Sequence, residues 1–158
     1  MGTGSEALTP LGTSDSIAYC DTSAILRAYL TDENGHEQTR QRLLSSEVSL
    51  VSSAIAEVEL TAALQGAVRD GRVNDPDLIL SAISDAANGP LLFITLNGAR
   101  ILPTARALCG RHRLRALDAI HLAVALTDGR ELAGDGLIFI TCDADQAAAA
   151  RAEGLEVE

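Results

Sequence analysis

Four acidic side chains stand where chemistry is possible. Asp21 directly follows the apolar run "SIAYC", and Asp143 directly follows "LIFITC". Asp118 is the one carboxylate in "RALDAIHLAVAL" (Arg115 to Leu126), an otherwise nearly apolar helical pattern. Glu59 lies in "AIAEVELTAAL" beside a competitor, Glu57. Two residues apart, these glutamates cannot share a helix face, and Glu59 falls with Ile55, Ala62 and Ala63 on the more apolar side. An ionised carboxylate in apolar surroundings costs roughly several kcal/mol unless a positive charge meets it. Brought together, the four either keep protons, with raised pKa values, or share a cation. Oxygen-only donors favour Mg²⁺ or Mn²⁺ over Zn²⁺. Such an ion, with coordination positions left open, suits phosphoryl transfer, because it acidifies water and clamps phosphate oxygens. A metal ion is therefore the expected positive partner of Asp118.

Other residue types narrow the chemistry. The three histidines do not assemble a zinc pattern. His36 is in a polar helix and His112 in a basic turn, while His121, one turn after Asp118, reads as a satisfied helix residue. The three cysteines, Cys20, Cys109 and Cys142, cannot all pair with one another, and they fit reduced, buried thiols of a cytoplasmic protein. The net charge of −10 argues at first against a nucleic-acid partner. Yet all 12 basic residues are arginine, the better bidentate phosphate ligand. Arg106, Arg111, Arg113 and Arg115 gather just ahead of the Asp118 helix. They read equally as a solvated helix end and as a phosphate-facing patch. Without lysine there is no Walker A loop, and phosphatases or receivers that set a lysine against the phosphoryl group are unlike this chain.

The elements that must position these groups alternate. Strands are expected at Ile17 to Cys20, "VSLVSS", "LLFITL", "LIFIT" and, briefly, "LEVE". Helices are expected over Thr22 to Tyr29, "HEQTRQRLLSS", the stretch to about Gly66 capped by Ser52 or Ser53, Asp77 to Ala87, "GARILPTARALCGR", the Asp118 segment and "DADQAAAARAEG". "TDENG", "RDGRVNDP" and "TDGRELAGDG" read as loops. "LLFITL" is apolar throughout, as in a strand covered on both faces. Alternation of this kind predicts an α/β fold with helices on both faces of a parallel sheet, and ligand groups gathered beyond the strands' C-terminal ends. Asp21 and Asp143 would then share one sheet edge, although helix capping alone explains each of them separately. Residues 1–16, rich in Gly, Ser and Thr, read as a flexible extension without a basic or apolar leader pattern. No apolar run approaches the ~20 residues that span a bilayer.

"YCDTSAIL", "SSAIAEVELTAAL", "LRALDAIHLAVAL" and "FITCDADQAAAARAEGLEV", in this order, resemble the four acidic motifs of PIN-domain ribonucleases, and more closely those of VapC toxins. The resemblance runs from about Ile17 to Val157. It implies a PIN-like three-layer α/β/α sandwich over residues 17–158, with a central parallel sheet of four to five strands. It implies that Asp21, Glu59, Asp118 and Asp143 bind Mg²⁺ or Mn²⁺, with Asp145 as helper or alternative to Asp143. Ser23 and Thr141 match hydroxyl residues that orient these acids, and Arg113 and Arg115, with Arg111, are candidates for holding the substrate backbone. The implied activity is endonucleolytic cleavage of RNA by a cytoplasmic homodimer. The implied partner is a VapB-like antitoxin whose C-terminal arm fills the groove. A catalytically silent PIN-like binding module, and a hydrolase of other phosphate esters, are the competing expectations.

Overall fold

The computed structural model describes residues 16–45, 48–87 and 91–158. The expected N-terminal extension lies outside the described residues, except that Ser16 already opens the first strand. The strands are β1 (Ser16–Cys20), β2 (Val48–Ser53), β3 (Leu91–Ile94), β4 (Ile138–Ile140) and β5 (Glu156–Val157). All pair in parallel, in the order β3-β2-β1-β4-β5. The central strand β1 is flanked on both sides, with Tyr19 opposite Val51 on β2 and opposite Phe139 on β4. Alternation along it sends Tyr19 to one helical layer and Ala18 and Cys20 to the other.

The layer under Tyr19 contains α5 (Gly98–Arg111), α6 (Ala116–Val124) and α8 (Ala144–Ala152), packed through Ile101, Leu108, Leu122 and Ala150. The opposite layer contains α1 (Thr22–Tyr29), α2 (His36–Leu43), α3 (Ile55–Arg69) and α4 (Pro76–Ala87), packed through Ile25, Leu43, Leu60 and Ile83. This is the three-layer α/β/α sandwich that the alternation predicts. The chain runs outward from β1 to β2 and β3, then crosses to β4 on the other side of β1. Strand order therefore reverses at β1 and β4, and ligand groups collect beyond the carboxyl ends of strands at such a reversal.

Three local expectations differ from the structure. Strand β3 is a sheet edge, and Leu92 on it is 55% exposed, so its apolar run does not mark a strand covered on both faces. Helix α3 has Ala54 at its N-cap position with no side-chain cap and continues to Arg69. Ser52 is not a cap: its hydroxyl donates to the Cys20 carbonyl at 2.7 Å, tying β2 to β1. Ser53 Oγ accepts only from the Ile55 amide at 3.3 Å. Third, "TDGRELAGDG" is largely helical. Beyond α6 the chain makes a π-turn over Ala125–Gly129 and a short helix α7 (Arg130–Ala133) before breaking at Gly134. Arg100 on α5 reaches over to Asp128 and Glu131 and holds this segment. Gly129 faces Leu137 so closely that a Cβ there would fall 2.9 Å from Leu137 Cδ2, which explains a glycine inside a helical stretch.

Candidate functional site

Asp21 and Asp143 follow β1 and β4, the two strands at the order reversal. Each caps the helix that comes next: Asp21 accepts from the Ala24 amide at 3.0 Å, Asp143 from the Gln146 amide at 2.8 Å. Capping and site membership do not exclude each other here. Both residues line a cleft of about 520 Å³ together with Glu59 from α3 and Asp118 from α6. Glu57 is exposed and does not line it, and neither does Asp145, exposed in the first turn of α8.

Asp21 is the most deeply set acid, 3% exposed. Ser23 Oγ lies 2.7 and 2.9 Å from its two oxygens, and Thr141 Oγ1 lies 2.8 Å from Oδ2. Burial pushes its pKa up, against the pull of these bonds and of the Ala24 amide. Thr141 has one proton but faces two acceptors, since its hydroxyl is also 2.7 Å from Gln146 Oε1. Gln146, fully buried, spends its Nε2 on the Asp118 carbonyl at 3.1 Å. The Asp21 carboxylate is thus bound by hydroxyls and an amide; among the described residues it makes no ion pair.

Glu59 belongs to a second buried chain of bonds. Its Oε2 accepts from Thr22 Oγ1 at 2.6 Å and from His121 Nε2 at 2.5 Å. A carboxylate only accepts, so Nε2 carries the proton. In the neutral imidazole Nδ1 is then left to accept from the Tyr19 hydroxyl at 2.8 Å. Burial alone would raise the Glu59 pKa, but the bonds from His121 and Thr22 outweigh it and hold the acid below its ordinary value. His121 is 1% exposed and is satisfied, as expected, but what satisfies it is a site acid. The spacing Asp118–His121 shows only a shared helix face. The Tyr19 and Glu59 contacts come from other elements and have no local signal.

Asp118 and Asp143 meet through a cation, and the cation belongs to the protein. Arg115 Nε is 2.8 Å from Asp118 Oδ2, and its Nη2 is 3.5 Å from Asp143 Oδ2. The sequence led to a metal as the positive partner of Asp118; the structure adds a partner from the chain itself, the guanidinium three residues earlier. Among the described residues no three acid, imidazole or thiol side chains are clustered closely enough to hold a metal ion. The donor chemistry nonetheless suits a hard dication: four carboxylates from four segments of chain face one cleft. Asp143, Glu59 and Asp118 are its accessible members, at 31%, 20% and 16% side-chain exposure, and Asp118 and Asp143 are bridged by an arginine that is itself 80% exposed.

The basic cluster does not form one patch on the cleft. Of its four arginines only Arg115 lines it. Arg111 is paired with Glu153, its Nη2 2.9 Å away, because α5 ends against the C-terminus of α8. Arg106 and Arg113 are exposed and do not line the cleft. Two other arginines do line it, Arg27 from α1 and Arg72 from the loop after α3. Arg27 could have been found, since it lies one turn beyond Ser23 on the same face of α1. Arg72 reaches the site by pairing with Asp32 and Glu33, a contact invisible to local pattern.

The sequence profile of the PIN domain matches residues 18–152. The chain belongs to the PIN domain family. No curated protein matches it at a significant level. Among solved structures, this PIN domain is similar to the crystal structure of VapBC2 from Rickettsia felis bound to a DNA fragment from their promoter. The TM-score is 0.60 at 14% identity, over 90% of this chain and 97% of the other. At that identity the likeness concerns the fold. It agrees with the five-stranded parallel sheet and the two helical layers of this PIN domain.

Proposed function

We propose that this chain is the toxin of a VapBC-type toxin–antitoxin pair and that its cleft hydrolyses RNA phosphodiester bonds with the help of Mg²⁺ or Mn²⁺. The observation that carries the proposal is the convergence of Asp21, Glu59, Asp118 and Asp143, from four separate elements, on one cleft at the strand-order reversal. Asp21, Glu59, Asp118 and Asp143 are the residues that would hold the ion. Bound there, it would supply acidification of water and neutralisation of charge on the phosphate. Ser23 and Thr141 keep the Asp21 carboxylate aimed, and His121 and Thr22 do the same for Glu59 and keep it ionised. Arg115 is placed to leave its two carboxylates and turn to a substrate phosphate. Membership of the PIN family and the fold shared with a VapBC2 complex support the toxin assignment and a VapB-like antitoxin as partner. RNA as substrate, a homodimer, residues 17–158 as one domain and a cytoplasmic site complete the proposal. Among the described residues no helix is long and apolar enough to cross a membrane.

Asp118→Asn tests the activity, since it removes charge and keeps shape. The variant should lose RNA cleavage and growth arrest; retention of both would remove the metal role. Structured RNA set against an aryl phosphate ester separates a ribonuclease from a hydrolase of small esters. One observation favours a second reading. Arg115 already pairs with two of the acids, which suits a silent binding module. That module would show no rise in melting temperature on addition of Mn²⁺.

A further inference from the structure

Three guanidinium groups line the cleft, and they differ in what they hold. Arg72 is committed to Asp32 and Glu33, with Nε 2.6 Å from Asp32. Arg115 is committed to Asp118 and Asp143. Among the described residues, the Arg27 side chain makes no hydrogen bond or ion pair, and its Nε is buried without a partner. An unpaired buried donor on a charged group is costly, so native structures rarely leave one idle. The base of this side chain is fixed. The Arg27 carbonyl accepts from His36 Nδ1 at 2.8 Å, which pins the last turn of α1 to the start of α2. Its aliphatic stem runs beside Gly35. A fixed base and an unspent planar fork are what recognition of a phosphate or carboxylate needs.

Position decides which anion. Arg27 lies six residues along α1 from Asp21, about 9 Å along the axis at helical rise. It shares a helix face and a cleft with Ser23, next to the acids. A cation at that distance sits too far along to meet the reacting phosphate and is suited to a phosphate further along the same strand. Acids outnumber arginines in the cleft, and the other two arginines are already paired, on a chain of net charge −10, so a strand entering it needs such an anchor. We infer that Arg27 is a substrate-binding residue that grips a backbone phosphate of the RNA strand to one side of the cleavage point, independently of base identity. This inference rests on the ribonuclease reading and adds one anchoring residue to it.

The test measures binding. A short fluorescein-labelled single-stranded RNA is titrated against the Asp118→Asn protein, in which the strand should survive, and against the same protein carrying Arg27→Gln. Arg27→Gln should weaken binding roughly three- to tenfold for any sequence. It should also lower the slope of log affinity against log salt by about 0.7, the loss of one phosphate contact on a single strand. Its melting temperature should not fall, because the group removed has no partner to lose. Arg27→Lys should keep the salt slope and recover only part of the affinity, since it retains charge but not the fork. If the Asp118→Asn parent binds no RNA, the ribonuclease reading fails and the inference with it. If the parent binds RNA and Arg27→Gln matches it in affinity and slope, only the inference fails. Loss of binding to polyglutamate with RNA binding intact would overturn it too, by assigning Arg27 to the carboxylates of a protein partner.

Discussion

Replacing Asp21 by asparagine should stabilise the protein in metal-free buffer while abolishing its response to Mn²⁺. The reason lies in the proton count. Thr141 offers one proton to two buried acceptors, Asp21 Oδ2 at 2.8 Å and Gln146 Oε1 at 2.7 Å. An asparagine amide at position 21 supplies the missing donor: its NH₂ gives to Thr141 Oγ1, which is then free to give to Gln146. Its carbonyl still accepts from Ser23 and from the Ala24 amide, both now on Oδ1. Satisfying one buried acceptor is worth about 1–3 kcal/mol. At roughly 2–4 °C per kcal/mol for a chain of this size, the variant should melt several degrees higher in EDTA. The parent should gain roughly 5–10 °C at a hundredfold excess of Mn²⁺ over its dissociation constant, and the variant should gain none. The pH dependence has a definite sign. Burial raises the folded-state pKa of Asp21, so protonated Asp21 favours the folded protein and that contribution is lost as pH rises through the raised value. The gap between variant and parent should therefore be wide at neutral pH and close towards pH ~3.9, where the acid is protonated even when unfolded. Differential scanning fluorimetry across pH, with EDTA or Mn²⁺, reads all of this. A variant that melts lower in EDTA, or still responds to Mn²⁺, refutes the reasoning.

Arg115→Gln releases Asp118 and Asp143 from their ion pairs and should tighten Mn²⁺ binding about two- to fivefold by calorimetry, since exposed pairs are worth only ~0.2–1 kcal/mol. Weaker binding in that variant would show that Arg115 does not compete with the ion. Glu153→Gln should cost about 1 kcal/mol at pH 7 in urea denaturation, because Glu153 receives His112 and Arg111 at the end of α5. The His112 bond, aided by Arg111, holds the Glu153 pKa below its ordinary value, so its contribution is present above pH ~4.3 and is lost as pH falls through the lowered folded value. The difference from the parent should shrink in acid, and a difference that grows there would count against the assignment.

What the sequence determined by itself was the alternation of strands and helices, and with it a parallel sheet between helical layers. Hydrophobic period and turn chemistry are local and need no partner to be read. The same locality placed Asp21 and Asp143 at strand ends and separated Glu59 from Glu57 by helix face. It failed where a neighbour in space overrides a neighbour in sequence. The apolar run of β3 looked central, yet strand order, which no single strand encodes, makes it an edge. The polar stretch after α6 looked like loop, yet Ala125, Leu126 and Ala133 seat it on the core and Arg100 pairs with it from another element. At the site, residue types indicated acids and a cation but not which cation stands beside Asp118. Only the tertiary structure brought Arg115 between two carboxylates, passed Tyr19 through His121 to Glu59, and left Arg27 in the cleft without a partner. Partners of that kind depend on through-space distances of a few ångströms between segments dozens of residues apart, and those distances exist only once the sheet has assembled.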